Sequence, residues 1–193
     1  MTAIVAAFEP FAGRTQNRAQ RATRHLVGHP GVEVATLPTS FARLPAAIDA
    51  LLARRPEPLV LVGEAARIQV LKVERFAVNL ADARIPDNDG ARPRGVAIEP
   101  DGPAARAVRF PVDEVVGAIR LAGVPAEASA HAGTFCCNAA FYHALARSTA
   151  GPIVAFVHLP RRRRALRGKE AALGILRLVE ALSAGRAQTR VFV

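Results

Sequence analysis

Short apolar runs and amphipathic helical stretches take turns along this chain from one end to the other. Residues 3–8, 32–37, 59–62, 126–129 and 153–157 read as strands, and three of these runs are apolar at every position, as strands covered on both faces must be. Residues 17–27, 41–53, 112–122, 133–147 and 168–183 read as helices. Leu44, Ile48 and Leu51 share one helical face, and so do Ala172, Ile175, Leu176, Val179 and Leu182. Such alternation predicts an α/β fold: a three-layer α/β/α sandwich with a mixed, mostly parallel central sheet. A length of 193 residues suits one domain, taken as 1–193, and neither repeats nor a low-complexity linker interrupt it. Two more extended segments are expected at 68–73 and 76–80. The terminal VFV, 191–193, is expected to form a small strand or an oligomer contact. Residues 82–103, rich in Asp, Gly and Pro, read as a long ordered loop, and loops of that length in compact domains usually serve function.

Composition narrows the classes. No run of about 20 apolar residues is present to span a membrane, and no secretory pattern follows Met1, so a cytoplasmic protein is expected. Cys136 and Cys137 are the only cysteines, and adjacent cysteines make a strained disulfide, which agrees with a reducing compartment. The net charge of +10 comes almost wholly from arginine. One dense basic run stands at 161–164, with no aromatic residues interleaved to stack bases, so nucleic acid is not favoured as a partner. No cluster has metal-ligand spacing.

Three residues could carry chemistry. Cys137 follows Thr134, a good N-cap, by three positions, which would set it in the first turn of a helix. Free NH groups and the positive helix end stabilise a thiolate there and can receive an oxyanion. The competing reading makes Cys136 and Cys137 small buried apolar residues. His158 comes just after the apolar run 153–157, where α/β proteins place functional groups, although a histidine at a strand end is often structural. His131 precedes the helix and could lie near such a site. His143 should face elsewhere, and His25 and His29 should be solvated. Glu74, within an apolar stretch, demands a partner: a histidine that it orients, or an arginine such as Arg75.

These residues lie in motifs that resemble a known family. Phe8-Glu9-Pro10-Phe11-Ala12-Gly13 is similar to FEPFGG; residues 73–80 to VERxAxN; Asp82-Ala83-Arg84-Ile85-Pro86-Asp87-Asn88 to DARIPDN; Gly102-Pro103-Ala104-Ala105 to GPAAY; residues 132–138 to AGTFxCN, with Tyr142 following; and residues 156–160 to FVHLP. Six motifs in order over nearly the whole length resemble the pyroglutamyl peptidase I family, the C15 cysteine peptidases. The resemblance implies an enzyme that removes N-terminal pyroglutamate from peptides without a cofactor or metal, through a Glu–Cys–His triad at Glu74, Cys137 and His158. It implies a small pocket for the lactam, with Phe8 and Phe11 at the ring faces, backbone groups from 63–67 including Glu64, Cys136 lining the pocket and Arg84 near the catalytic centre. The family includes monomers and tetramers, so a homo-oligomer, dimer or tetramer, is one expectation.

The sequence also departs from the family pattern. Ala12 stands for a glycine, Ala6-Ala7 for TG, Glu64 for a glutamine, and 161–164 for a proline and glutamine. These changes leave a competing reading open, a non-catalytic homologue serving as a binding module. A nucleic-acid-associated protein is a more distant alternative.

Overall fold

The computed structural model describes residues 2–162 and 164–189. The segment 191–193, expected as a strand or contact, lies outside them. The strands are β1 (Ala3–Phe8), β2 (Val32–Leu37), β3 (Leu59–Ala65), β4 (Leu71–Val78), β5 (Ala105–Ala107), β6 (Ala126–His131) and β7 (Val154–Pro160). The helices are α1 (Arg18–Thr23), α2 (Leu44–Ala53), α3 (Val112–Leu121), α4 (Cys136–Arg147) and α5 (Gly168–Thr189). The strands join in one sheet of order β2-β1-β3-β7-β4-β5, with β6 also on β4. Pairs β1–β2, β1–β3, β3–β7 and β4–β6 are parallel, while β4 runs antiparallel to β7 and β5. This is the expected mixed, mostly parallel sheet.

Strand periodicity sorts the core into two layers. Ala3, Val5 and Ala7 of β1, with Val60, Val62, Val157 and Leu159, pack beneath α1, α3 and α5. Ile4, Ala6 and Phe8, with Leu59, Leu61 and Phe156, pack beneath α2 and α4. Apolar side chains on both faces leave the central strands no solvated side, which explains their unbroken apolar sequence. No helix among the described residues is long and apolar enough to cross a membrane.

Several boundaries differ from expectation. The extended segments at 68–73 and 76–80 form a single strand, β4, which carries Glu74 in its middle. Strand β7 continues through His158 to Pro160 instead of ending before it, because β3 itself runs past Gly63 to Ala65 and pairs it residue for residue. The helix expected over 17–27 is α1 followed by a 3-10 turn, Arg24–Leu26. Short β5 had no alternating pattern to reveal it.

The loop 82–103 is tied at many points. Asn79 Oδ1 accepts from Ile98 N and Glu99 N, each at 2.9 Å. The buried Asp87 carboxylate accepts from Phe41 N, Asp89 N and Ala91 N. Asn88 Nδ2 donates to Glu9 Oε1 and Pro10 O at 3.0 and 2.8 Å. The loop therefore folds against the turn after β1 and stands as a wall.

Candidate active site

The sheet register brings the ionisable groups together. Lys72 of β4 lies opposite His158 of β7 in an antiparallel pair, and Glu74 is two residues farther along β4, on the same face. A diagonal neighbour across such a pair is within side-chain reach. Glu74 Oε1 accepts a hydrogen bond from His158 Nδ1 at 2.7 Å. Glu74 is 2% exposed and His158 7%. Arg75, the alternative partner for Glu74, pairs with Asp113 at 2.6 Å.

With Nδ1 committed to Glu74, the opposite nitrogen is left to face Cys137, whose Sγ lies with it beside Gly63. Gly63 makes room for that contact. It lies beside His158 in the β3–β7 register, and a Cβ built on it would stand 2.9 Å from Cys137 Sγ and 3.1 Å from His158 Nε2. Burial by itself would lower the His158 pKa, but the hydrogen bonds to Cys137 and Glu74 and the charges of both outweigh it and raise it to about 10. The imidazole is therefore held in its charged form near neutral pH.

Cys137 lies in the first turn of α4, as expected, but the cap differs. Phe135 occupies the N-cap position and brings no hydrogen-bonding side chain. Thr134 Oγ1 donates instead to Asp82 O at 2.8 Å, and Asp82 N donates to Thr134 O at 3.0 Å. The threonine thus fastens the start of loop 82–103 to the entrance of α4. The first NH groups of that helix have no acceptor within it.

The two cysteines differ in kind. Cys137 is partly exposed and lines the cleft, whereas Cys136 is 0% exposed within the layer beneath α4. Burial pushes the Cys136 thiol far up. Consecutive helical residues point about 100° apart, so the register that turns Cys137 to the cleft turns Cys136 into the core.

A cleft of about 570 Å³ opens over these groups. Of the residues expected there, Phe11, Glu64 and Arg84 line it with Cys137, His158 and Glu74, and His131 joins them. Phe8 and Cys136 stand behind the wall. Phe8 is 2% exposed, with its ring 6.3 Å from Phe156, because the even-numbered side chains of β1 face the core beneath α4. Phe135 takes the place expected of Phe8: it lines the cleft, 5.9 Å from Phe11 and 5.5 Å edge-on to Phe41.

Glu64 is committed sideways. Its Oε2 accepts from Arg18 N at the start of α1, at 2.7 Å, and its Oε1 pairs with Arg14 at 2.5 Å. Arg14 in turn lies over the Phe11 ring, 4.5 Å from its centroid. The carboxylate therefore has local charge compensation and braces the phenylalanine. Ala12, one residue on, has φ +57°, a conformation that disfavours any side chain.

Sequence reasoning passed over Asn138. It is fully buried; its Oδ1 accepts from Val78 N at 2.9 Å, and its Nδ2 donates to Val78 O and Leu80 O at 2.8 and 3.0 Å. This amide pins the turn bearing Cys137 to the end of the strand bearing Glu74. A polar residue in an otherwise apolar stretch, directly after a candidate nucleophile, was the available signal.

A cysteine at a helix start, beside a histidine that a buried carboxylate orients, within an α/β sandwich, defines a cysteine-type hydrolase. Comparison with known proteins agrees. Residues 1–187 match the pyroglutamyl peptidase family, Peptidase C15, and the chain belongs to it. It is 42% identical over 168 residues to the pyrrolidone-carboxylate peptidase of Cupriavidus taiwanensis, covering 82% of this chain and 78% of that one. To that of Clavibacter michiganensis it is 40% identical over 167 residues, with the same coverage. The crystal structure of the pyrrolidone carboxyl peptidase from Thermus thermophilus superposes with a TM-score of 0.83 at 34% identity, covering 93% of this chain and 98% of that one.

Proposed function

We propose that this protein hydrolyses the N-terminal pyroglutamyl residue from peptides through a Cys137–His158–Glu74 triad and a covalent acyl-enzyme. The observation that carries the reading is the Glu74–His158 hydrogen bond at 2.7 Å, with His158 Nε2 and Cys137 Sγ meeting beside Gly63 in the cleft. The His158 proton, taken from the thiol, leaves a thiolate as nucleophile. Sulfur attacks the pyroglutamyl carbonyl, and NH groups at the α4 start receive the oxyanion. Protonated His158 then gives its proton to the leaving amine, the C–N bond breaks, and a thioester forms on Cys137. Water, deprotonated by His158, adds to the thioester and releases pyroglutamate and the thiol. Glu74 holds the imidazole in the required tautomer and offsets its charge in a site closed to solvent.

The walls suit a small neutral ring. Phe11, Phe135 and Ile85 offer apolar surface, and the end of β3 at Glu64 brings its backbone to the cleft. A free N-terminal ammonium entering this apolar end would lose its hydration without a partner, so unblocked peptides should be excluded. The side-chain commitments of Glu64 support a pocket in which its backbone, not its carboxylate, meets the lactam. The test is hydrolysis of a pyroglutamyl fluorogenic amide beside its alanyl counterpart, with and without iodoacetamide. Cleavage of the first alone, lost on alkylation, is expected. A well-folded protein that cleaves neither would overturn the reading.

A further inference from the structure

The charged groups lining the cleft are not evenly matched. Each of its three carboxylates has a cation: Glu64 has Arg14, Glu74 has His158, and Asp82 has Arg94 at 3.8 Å. Lys72 is matched by Glu127. Arg161 and Arg84 also line the cleft, and neither forms an ion pair among the described residues. Both are exposed.

Their positions relate to the departing half of the substrate. His158 delivers the proton to the leaving amine and therefore marks where the leaving chain begins. Arg161 follows the last residue of the same strand, three positions on, and its NH is held by Ala65 O at 3.0 Å. Arg84 lines the same cleft from the tethered loop, whose first residue is bonded to Thr134. The leaving chain starts at His158, within the cleft that both arginines line.

We propose that Arg161, assisted by Arg84, makes this cleft select pyroglutamyl peptides that carry a carboxylate immediately after the scissile bond. This rests on the pyroglutamyl-hydrolase reading above. The carboxylate has two sources: an acidic side chain on the residue after pyroglutamate, or the free C-terminus of a pyroglutamyl dipeptide. Both offer the planar acceptor that a guanidinium binds well.

Four substrates separate the cases: pyroglutamyl-Glu-amide, pyroglutamyl-Gln-amide, pyroglutamyl-Ala-amide and pyroglutamyl-Ala with a free carboxylate. At low ionic strength kcat/KM should favour Glu over Gln, or the free carboxylate over the Ala amide, by roughly tenfold, and the ratio should shrink as salt screens the charges. The ratio that exceeds one identifies the source. Arg161→Gln should bring it most of the way to unity, and Arg84→Gln part of the way. Equal rates within both pairs would overturn this inference while leaving pyroglutamyl hydrolysis standing. So would a preference that Arg161→Gln leaves unchanged. No hydrolysis of any of the four would remove both.

Discussion

His158 concentrates the electrostatics of the site in one ring. Its folded pKa of about 10 lies above the ordinary histidine value of 6.5, so the folded chain holds the proton more tightly than the unfolded chain does. The stability this supplies is complete below the unfolded value and is lost as pH rises through about 10. Urea midpoints of the native protein should therefore fall between pH 7 and 11 more steeply than those of a His158→Gln variant; parallel curves would contradict the assignment. Removing the ring outright leaves Glu74 buried and uncompensated, so His158→Ala should cost about 3–5 kcal/mol in unfolding experiments. Ala12 makes the opposite kind of prediction. With φ at +57°, it occupies backbone space that glycine fills without strain. Ala12→Gly should raise stability by about 1 kcal/mol, read as a Tm increase of roughly 2–4 °C. A decrease would show that the Ala12 methyl contributes packing that outweighs the strain.

Between elements, the decisive join is β4 to α4. Glu74 and Cys137 lie on different elements far apart in sequence, and the Asn138 amide binds their ends together with three hydrogen bonds. Asn138→Ala would leave the Val78 amide and the Val78 and Leu80 carbonyls without those partners, at about 1–3 kcal/mol. We expect kcat to fall with a smaller change in KM, because the thiol rather than the lactam pocket is displaced. A rise confined to KM would assign the residue to substrate binding instead. The same join shows what could be read from the sequence at this scale. Alternating apolar runs gave the strands and helices, and apolar runs have one physical meaning in an α/β chain. The N-cap was misplaced because Thr134, a strong capping residue by type, spends its hydroxyl on Asp82 O, a tertiary contact no local pattern reports. Strand β5 escaped because three residues in a strand of low burial carry no period.

Across the whole molecule, the three candidate chemical groups were legible one by one from their local context, while their meeting was implied by the family resemblance alone. Glu74 could have paired with Arg75; only the β4–β7 register puts it on the His158 face and leaves Arg75 to Asp113. Phe8 and Phe11 look alike in sequence, yet β1 ends at Phe8, so one ring is fixed in the core and the other is free to reach the cleft. Of the widely separated motif segments, those bearing Phe11, Glu74, Arg84, Cys137 and His158 converge on one cleft. The tally of charge reads differently once folded. A net charge of +10 says little about function, whereas two arginines in the reaction cleft without an ion pair among the described residues bear on its substrates.

The most direct test of the account is turnover of a pyroglutamyl fluorogenic amide by the native protein beside Cys137→Ala, together with mapping of iodoacetamide on the native chain. The account predicts a fall of roughly a thousandfold or more in kcat/KM with unchanged far-ultraviolet circular dichroism, and alkylation at Cys137 but not at the buried Cys136. A Cys137→Ala protein that still cleaves, or label found first on Cys136, would contradict it.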